Sequence, residues 1–299
     1  MKRIRLSNSA NELMLRCERL FQIERLLVGA RSKYDAAHFS RGHAWGKGVQ
    51  VYLLTGDMEK ALFHAWLAYW PEIEDKPKIS VIRTLHALIC AQRTLDEIRE
   101  KYEVVSFNGH PAVELGYKLN IDAIYYYVGF IDLVLKNRET GLYVVAEVKY
   151  TGSWLDVDAM FFNSPQAIAY SIALDKIIGT ELSEYGVLYI ICQDKEAKPQ
   201  YIQFHVKEWE KSLRDRLKWF LTLGLDVKRI QEMRELNHFP QRVISCIRFN
   251  KICQHFGTCG LSAGDKERDD EVDPHEEAGR YQFEYNLDTV IQDHLKRGV

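Results

Sequence analysis

Glu147 and Lys149 stand two residues apart in a stretch that is otherwise apolar or aromatic, Leu142-Tyr-Val-Val-Ala-Glu-Val-Lys-Tyr150. In a strand, the two-residue period sends Tyr143, Val145, Glu147 and Lys149 to one face and Leu142, Val144, Ala146 and Val148 to the other. Putting a carboxylate and an ammonium on a semi-buried face is costly unless they pair or bind a metal. A second acid lies upstream, in Gly129-Phe-Ile-Asp132. If Asn137 pairs with Leu142 across the turn Arg138-Glu-Thr-Gly141, the antiparallel register sets Asp132 opposite Glu147. Directly opposed side chains have Cβ atoms about 4.5–5.5 Å apart, so two carboxylates there repel. A divalent cation between them would remove the conflict, and oxygen donors suit a hard one. A salt-bridged edge strand is the alternative.

The elements that must hold this hairpin follow from periodicity. Residues 7–27 repeat their apolar positions at helical spacing, and the glycine-bearing stretch 29–48 reads as a loop. Gly48 to Tyr69 and Ile79 to Val104 read as two more helices, separated by Pro71 and Pro77. After Asn108-Gly109 the texture changes: 113–121, 125–136, 142–150, 185–194 and 201–206 are short and rich in β-branched and aromatic residues. That predicts an α/β core with a sheet of about five strands, in which 164–179 is a crossover helix. Residues 206–224 read as an amphipathic helix, 264–277 as an acidic solvated linker and 280–295 as a short terminal helix. The expected divisions are a helical region over 1–100, a core over 101–235, a cysteine segment over 236–262, and a linker with terminal helix over 263–299.

Forty basic against forty-two acidic residues in 299 give a net charge of -2, so any surface for a polyanion must be local. Candidate phosphate contacts are Arg3, Arg5, Arg16, Arg19, Arg25, Arg31 and Lys33, with Lys207, Lys211, Arg214, Arg216 and Lys218. The basic start has no apolar run fit for a signal peptide, and no stretch approaches about 20 apolar residues, so a soluble cytoplasmic protein without a membrane partner is expected. Of six cysteines, Cys90 and Cys192 sit in apolar runs and read as small buried hydrophobes. Cys246, Cys253 and Cys259 are spaced C-x6-C-x5-C, which suits zinc, an iron–sulfur cluster or inert thiols equally.

Asp132, the Glu147-Val148-Lys149 triplet and the following Gln166-Ala-Ile-Ala-Tyr170 together resemble the PD-(D/E)XK nuclease superfamily, and within it the RecB-like branch. The resemblance implies a restriction-endonuclease-like central mixed sheet flanked by helices, with a helical N-terminal region and a cysteine-bearing C-terminal segment. It implies Mg²⁺ or Mn²⁺ on Asp132 and Glu147, with the Val148 carbonyl as a further oxygen, and Lys149 activating the attacking water. Gln166 and Tyr170, one turn apart, are implied to hold the DNA backbone or the lysine. Glu114 is a weaker ligand candidate, on the strand before the hairpin. Gln50 stands where many relatives carry a metal-binding histidine, and offers an amide oxygen instead; nearby His43 and His64 read as ordinary polar residues.

Cys17 with Cys246, Cys253 and Cys259 around such a core resembles the iron–sulfur exonucleases, namely AddB-type, CRISPR-associated and phage enzymes. That implies a structural [4Fe-4S] cluster, with Zn²⁺ as the alternative ion. The implied activity is hydrolysis of phosphodiesters at DNA ends, independent of sequence, in recombination, repair or phage DNA processing, with a recombination or helicase protein as an expected partner. The rival expectations are a non-catalytic DNA-binding module with a nuclease fold and a cysteine–zinc interaction protein.

Overall fold

The computed structural model describes residues 3–27, 36–69, 78–152, 156–178, 184–194, 202–248, 251–257, 259–260 and 273–298. The chain divides into two compact units, Asp35–Leu115 with Phe130–Arg216, and Met1–Tyr34 with Gly116–Gly129 and Leu217–Val299. The strands Val113–Asn120 and Tyr125–Asn137 contribute residues to both.

In the first unit the predicted hairpin is present. Strand Tyr125–Asn137 runs antiparallel to Tyr143–Thr151 with Leu133 opposite Ala146 and Leu135 opposite Val144. The Asn137 N–H donates to the Leu142 carbonyl at 2.8 Å. Asn137 Oδ1 accepts the Glu139 and Thr140 amides at 2.9 and 3.0 Å, and Gly141 supplies the positive φ of 73° that closes the turn. Strand Glu184–Asp194 joins in parallel, from Val144 opposite Gly186 to Thr151 opposite Gln193, and Ile202–Ser212 pairs antiparallel beyond it. A parallel step needs a crossover; it contains the helices Val157–Phe161, Pro165–Tyr170 and Ile172–Ile178.

The helices Ala36–Thr55, Met58–Tyr69, Lys78–Cys90 and Gln92–Lys101 contribute Trp45, Val49, Tyr52, Leu88 and Leu95 to a core with Leu133, Leu135, Val144, Ala146, Val148, Leu188 and Ile190. Burying one such large apolar side chain is worth roughly 1.5–3 kcal/mol. The mixed sheet with flanking helices is the expected α/β class, but the sheet has eight strands, not five. Of the three that sequence reading missed, Tyr102–Val104 and Tyr281–Asn286 lie at the ends of segments read as helices, and Ile4–Leu6 just before one.

Other boundaries also move. Part of the expected loop 29–48 is helix from Ala36, with 28–35 outside the described residues. Gly48 lies inside that helix because the packing needs it: a Cβ there would come 2.5 Å from Leu88 Cδ2. The expected helix Gly48–Tyr69 breaks at Gly56, whose φ is +71°, and Asp57 caps the next helix through the Lys60 amide at 3.0 Å. Residues 206–212 are strand, paired along their whole length with Glu184–Ile190, and the helix that follows is Leu213–Glu235. The crossover helix is interrupted at Ser171, and Tyr281–Asn286 is a strand before the terminal helix Leu287–Lys296. Pro71, Pro77, Arg31, Lys33 and most of the acidic run lie outside the described residues.

In the second unit, Ile4–Leu6 pairs in parallel with Tyr125–Tyr127, and Tyr281–Asn286 with Gly116–Asn120. The helix expected over 7–27 is interrupted at Cys17, which is extended at φ -164° between Asn8–Arg16 and Glu18–Phe21. Tyr127, Trp219, Phe220 and His294 pack ring on ring at centroid distances of 5.2 to 5.4 Å. No helix among the described residues is long and apolar enough to cross a membrane.

Candidate active site

The hairpin ladder ends at Leu133 opposite Ala146, and Asp132 and Glu147 are the next residues along the two strands. Asp132 Oδ2 accepts the Val148 backbone N–H at 2.8 Å, so the second acid is fixed by the strand that carries the first. Asp132 keeps part of its surface open, whereas Glu147 is 1% exposed. Loss of solvation, then the charges of Glu147 and Glu114, hold the Asp132 carboxyl well above the ordinary carboxylate range. Burial likewise raises Glu147, against the pull of the Lys149 ammonium.

Lys149 is held at both ends of its reach. Its Nζ pairs with Glu147 Oε1 and donates to Gln166 Oε1 at 2.7 Å, and Gln166 Nε2 donates to the Tyr170 hydroxyl at 2.6 Å. Gln166 and Tyr170 lie one turn apart on Pro165–Tyr170, so the crossover helix orients the lysine. Glu147 Oε2 is buried and makes no hydrogen bond of ordinary length among the described residues, with the Tyr170 hydroxyl beside the carboxyl.

Glu114 and Gln50 pair with each other nearby. Gln50 Nε2 donates to Glu114 Oε1 at 2.6 Å, while Gln50 Oε1 is buried without a hydrogen-bond partner among the described residues. Glu114 has φ +53°, a left-handed conformation rare for a non-glycine residue, and its charge reaches both Asp132 and Glu147. The structure thus brings together Asp132, Glu147, Lys149, Gln166, Tyr170, Glu114 and Gln50, with Val148 present through its backbone. Tyr189 is a residue the sequence reading missed: it pairs with Glu147 across the parallel strands. Only that long-range register reveals it.

Several basic residues taken as phosphate contacts have other work. Arg216, fully buried, donates to the Ser171 hydroxyl, the Ser171 carbonyl and Asp175, each at 2.8 Å. Lys211 donates to the Phe162 carbonyl at 2.7 Å, and Lys207 pairs with Asp158 at 3.1 Å. Arg5 pairs with Asp273 at 3.1 Å, and Arg19 donates to the Cys259 carbonyl at 2.9 Å. Replacing Arg216 by alanine removes a buried ion pair and the two bonds to Ser171, and should cost about 3–5 kcal/mol. Urea denaturation would show that loss, while the salt dependence of DNA binding should not change; a lower salt slope would return Arg216 to the phosphate contacts.

Cys17, Cys246, Cys253 and Cys259 are all free thiols of one unit. The Ser245 hydroxyl donates to the Arg16 carbonyl at 2.6 Å, and Glu18 takes Arg242 at 2.6 and 2.7 Å, with Arg229 beside it. Burial raises the Cys259 thiol, and Cys17, Cys253 and Cys246 add to the effect, so the four share a neighbourhood. Among the described residues, however, no three His, Cys, Asp or Glu side chains form a group ready to hold a metal ion. Cys192 is buried as expected; Cys90 is exposed, 3.6 Å from His86 Nε2, because its helix turns that face outward.

The sequence profile of the PD-(D/E)XK nuclease superfamily matches residues 5–260. No curated protein matches. Among solved structures, a "Putative exonuclease" from Eubacterium rectale is 12% identical with a TM-score of 0.48, covering 86% of this chain and 93% of that one. A second, SSO0001, is 13% identical with a TM-score of 0.28, covering 69% and 76%. With the profile spanning the hairpin, its acids and the crossover helix, the chain belongs to the PD-(D/E)XK nuclease superfamily.

Proposed function

We propose that this chain is a divalent-metal-dependent DNA nuclease of the RecB-like kind that hydrolyses phosphodiesters at DNA ends without regard to sequence. The observation that carries this reading is the meeting of Asp132, tied to the Val148 N–H, with the buried Glu147 and the Lys149 ammonium that pairs with it. The residues suit Mg²⁺ or Mn²⁺: Asp132 and Glu147 would hold it, with Glu114, the Gln50 amide oxygen and the Val148 carbonyl as further hard donors. When bound, such an ion neutralises charge gathering on the phosphate and acidifies water.

The protein's own groups do the rest. Gln166, steadied by Tyr170, keeps the Lys149 ammonium beside Glu147. From there Lys149 donates a hydrogen bond to the attacking water or a phosphate oxygen, fixing the line of approach. The four cysteines belong to the same proposal as ligands of a structural [4Fe-4S] cluster or Zn²⁺, since Cys17, Cys246 and Cys253 all lie near Cys259; no step passes through them.

End-labelled linear DNA and a closed circle of the same sequence, each with and without Mn²⁺, test the proposal. Linear DNA should be degraded only with the ion, and the circle should survive. Cutting of the circle would refute end dependence. Binding of both without cutting would leave a DNA-binding module in place of an enzyme.

A further inference from the structure

Residues 161–166 run past the candidate metal site. Phe161 stacks on Tyr189 at 5.3 Å, the Tyr189 phenol bonds with Ser164 within the field of Glu147 and Asp132, and Gln166 takes the Lys149 ammonium at 2.7 Å. Among these inward contacts Phe162 turns outward, 45% exposed. A lone surface phenylalanine needs no explanation, but this one is held on two sides. Lys211 Nζ lies 3.7 Å from the centre of its ring and donates to its carbonyl at 2.7 Å; Trp209 packs perpendicular to it, ring centres 5.5 Å apart. Lys211 is itself buried, and the Asp215 charge reaches it without pairing. An ammonium taken out of water for one ring and one carbonyl is costly, and what it secures is the posture of an exposed ring. The sheet register places that ring beside the acids. Glu147, Tyr189 and Lys207 are Cα partners in one row, and Val145, Val187 and Trp209 in the row two residues away. Such partners project to one face, and strands lie about 4.8 Å apart, so Trp209 stands on the face of Glu147, two strands or about 10 Å to the side.

We infer that Phe162, backed by Lys211 and Trp209, is a stacking platform for an unpaired nucleobase of the DNA strand whose phosphate is cut. This rests on the nuclease reading and deepens it, because it gives the substrate a single-stranded stretch at the site. A stacked strand rises about 3.4 Å per nucleotide, so a base one to three nucleotides from a phosphate held at the acids reaches the ring. Every base has a π-face, so stacking grips the strand without reading its sequence. A duplex covers the faces of its bases, and only a frayed or single-stranded end can use the platform.

The test uses oligothymidylate carrying a single 2-aminopurine, a base whose fluorescence falls when it stacks, placed at successive positions from one end. Binding in EDTA, by anisotropy and by quenching, would be measured for wild type, Phe162→Ala, Phe162→Leu and Phe162→Trp, beside thermal unfolding of each. Wild type should quench the label at one or two neighbouring positions. Phe162→Ala and Phe162→Leu should lose that quench and bind about 5–150-fold more weakly, whereas Phe162→Trp should keep both. Leucine still covers Lys211, so a leucine variant that melts as wild type but no longer quenches separates stacking from packing. Unchanged affinity and quench in Phe162→Ala, or full retention of both in Phe162→Leu, overturns the inference. If wild type quenches the label yet cuts nothing with Mn²⁺, the nuclease reading fails and the platform stands; if it cuts without quenching at any position, the platform alone falls. If wild type neither binds nor cuts the oligonucleotide, both fall.

Discussion

Asp132→Asn should yield a protein that folds better without metal and no longer cuts DNA. Asparagine is nearly isosteric, and its amide oxygen can still accept the Val148 N–H that Asp132 Oδ2 accepts at 2.8 Å. The backbone geometry of the hairpin is therefore kept. What goes is one of two neighbouring acids, whose carboxyl is held high by lost solvation and by Glu147 and Glu114. Removing that repulsion raises metal-free stability near neutral pH, and about 1 kcal/mol would show as a rise of ~2–4 °C in Tm for a chain of this size class. Cleavage should fall by roughly 10²–10³-fold or more, the scale of losing a preorganised electrostatic group. Opposite signs of the two effects separate a site residue from a structural one, since a structural acid would lower both. Circular dichroism melts in EDTA and single-turnover cleavage with Mn²⁺ measure them; a variant that cuts as wild type would remove Asp132 from the site.

That such a variant can be designed from sequence reflects which interactions are local. The Asn137 turn and the alternation around Glu147 act over a few residues, so the pairing of Asn137 with Leu142 and the hairpin it closes are legible in the sequence. That Gln166 and Tyr170 share one turn of one helix is legible for the same reason, whereas their place in the site is what the family resemblance implies. Glycines misled because their uses differ: Gly141 turns the chain, while Gly48 admits Leu88 into a helix packing that a loop reading cannot foresee. Strand 206–212 looked helical by its charges, but full-length pairing with Glu184–Ile190 decides its form, and pairing partners are not written in the segment itself. The left-handed backbone of Glu114 and the placement of Tyr189 beside Glu147 likewise depend on tertiary context. Arg216 reads as a cation for DNA until Ser171 and Asp175 are seen to enclose it.

Stability of the metal-free protein should fall as pH rises, and Mg²⁺ or Mn²⁺ should reverse that trend. Asp132 and Glu147 both have carboxyls raised in the folded state. Unfolded, such groups titrate near ~3.9 and ~4.3. Between those values and the raised folded ones the folded chain holds more protons than the unfolded chain, so these two acids subtract stability progressively as pH climbs. Below ~4 both states are protonated and the penalty vanishes. A divalent cation needs the deprotonated carboxylates, so protons compete with it and its apparent affinity grows with pH. At a fixed ion concentration a hundredfold above Kd the gain is about 2.7 kcal/mol, and it should shrink toward zero as the acids take up protons. Melts in EDTA and in Mg²⁺ from about pH 5 to about pH 8 would show two curves that diverge upward. Asp132→Asn combined with Glu147→Gln should bring the curves together, because neither the repulsion nor the ligands remain. A cation-induced shift that is flat with pH, or that persists in the double variant, would place the ion elsewhere in the molecule.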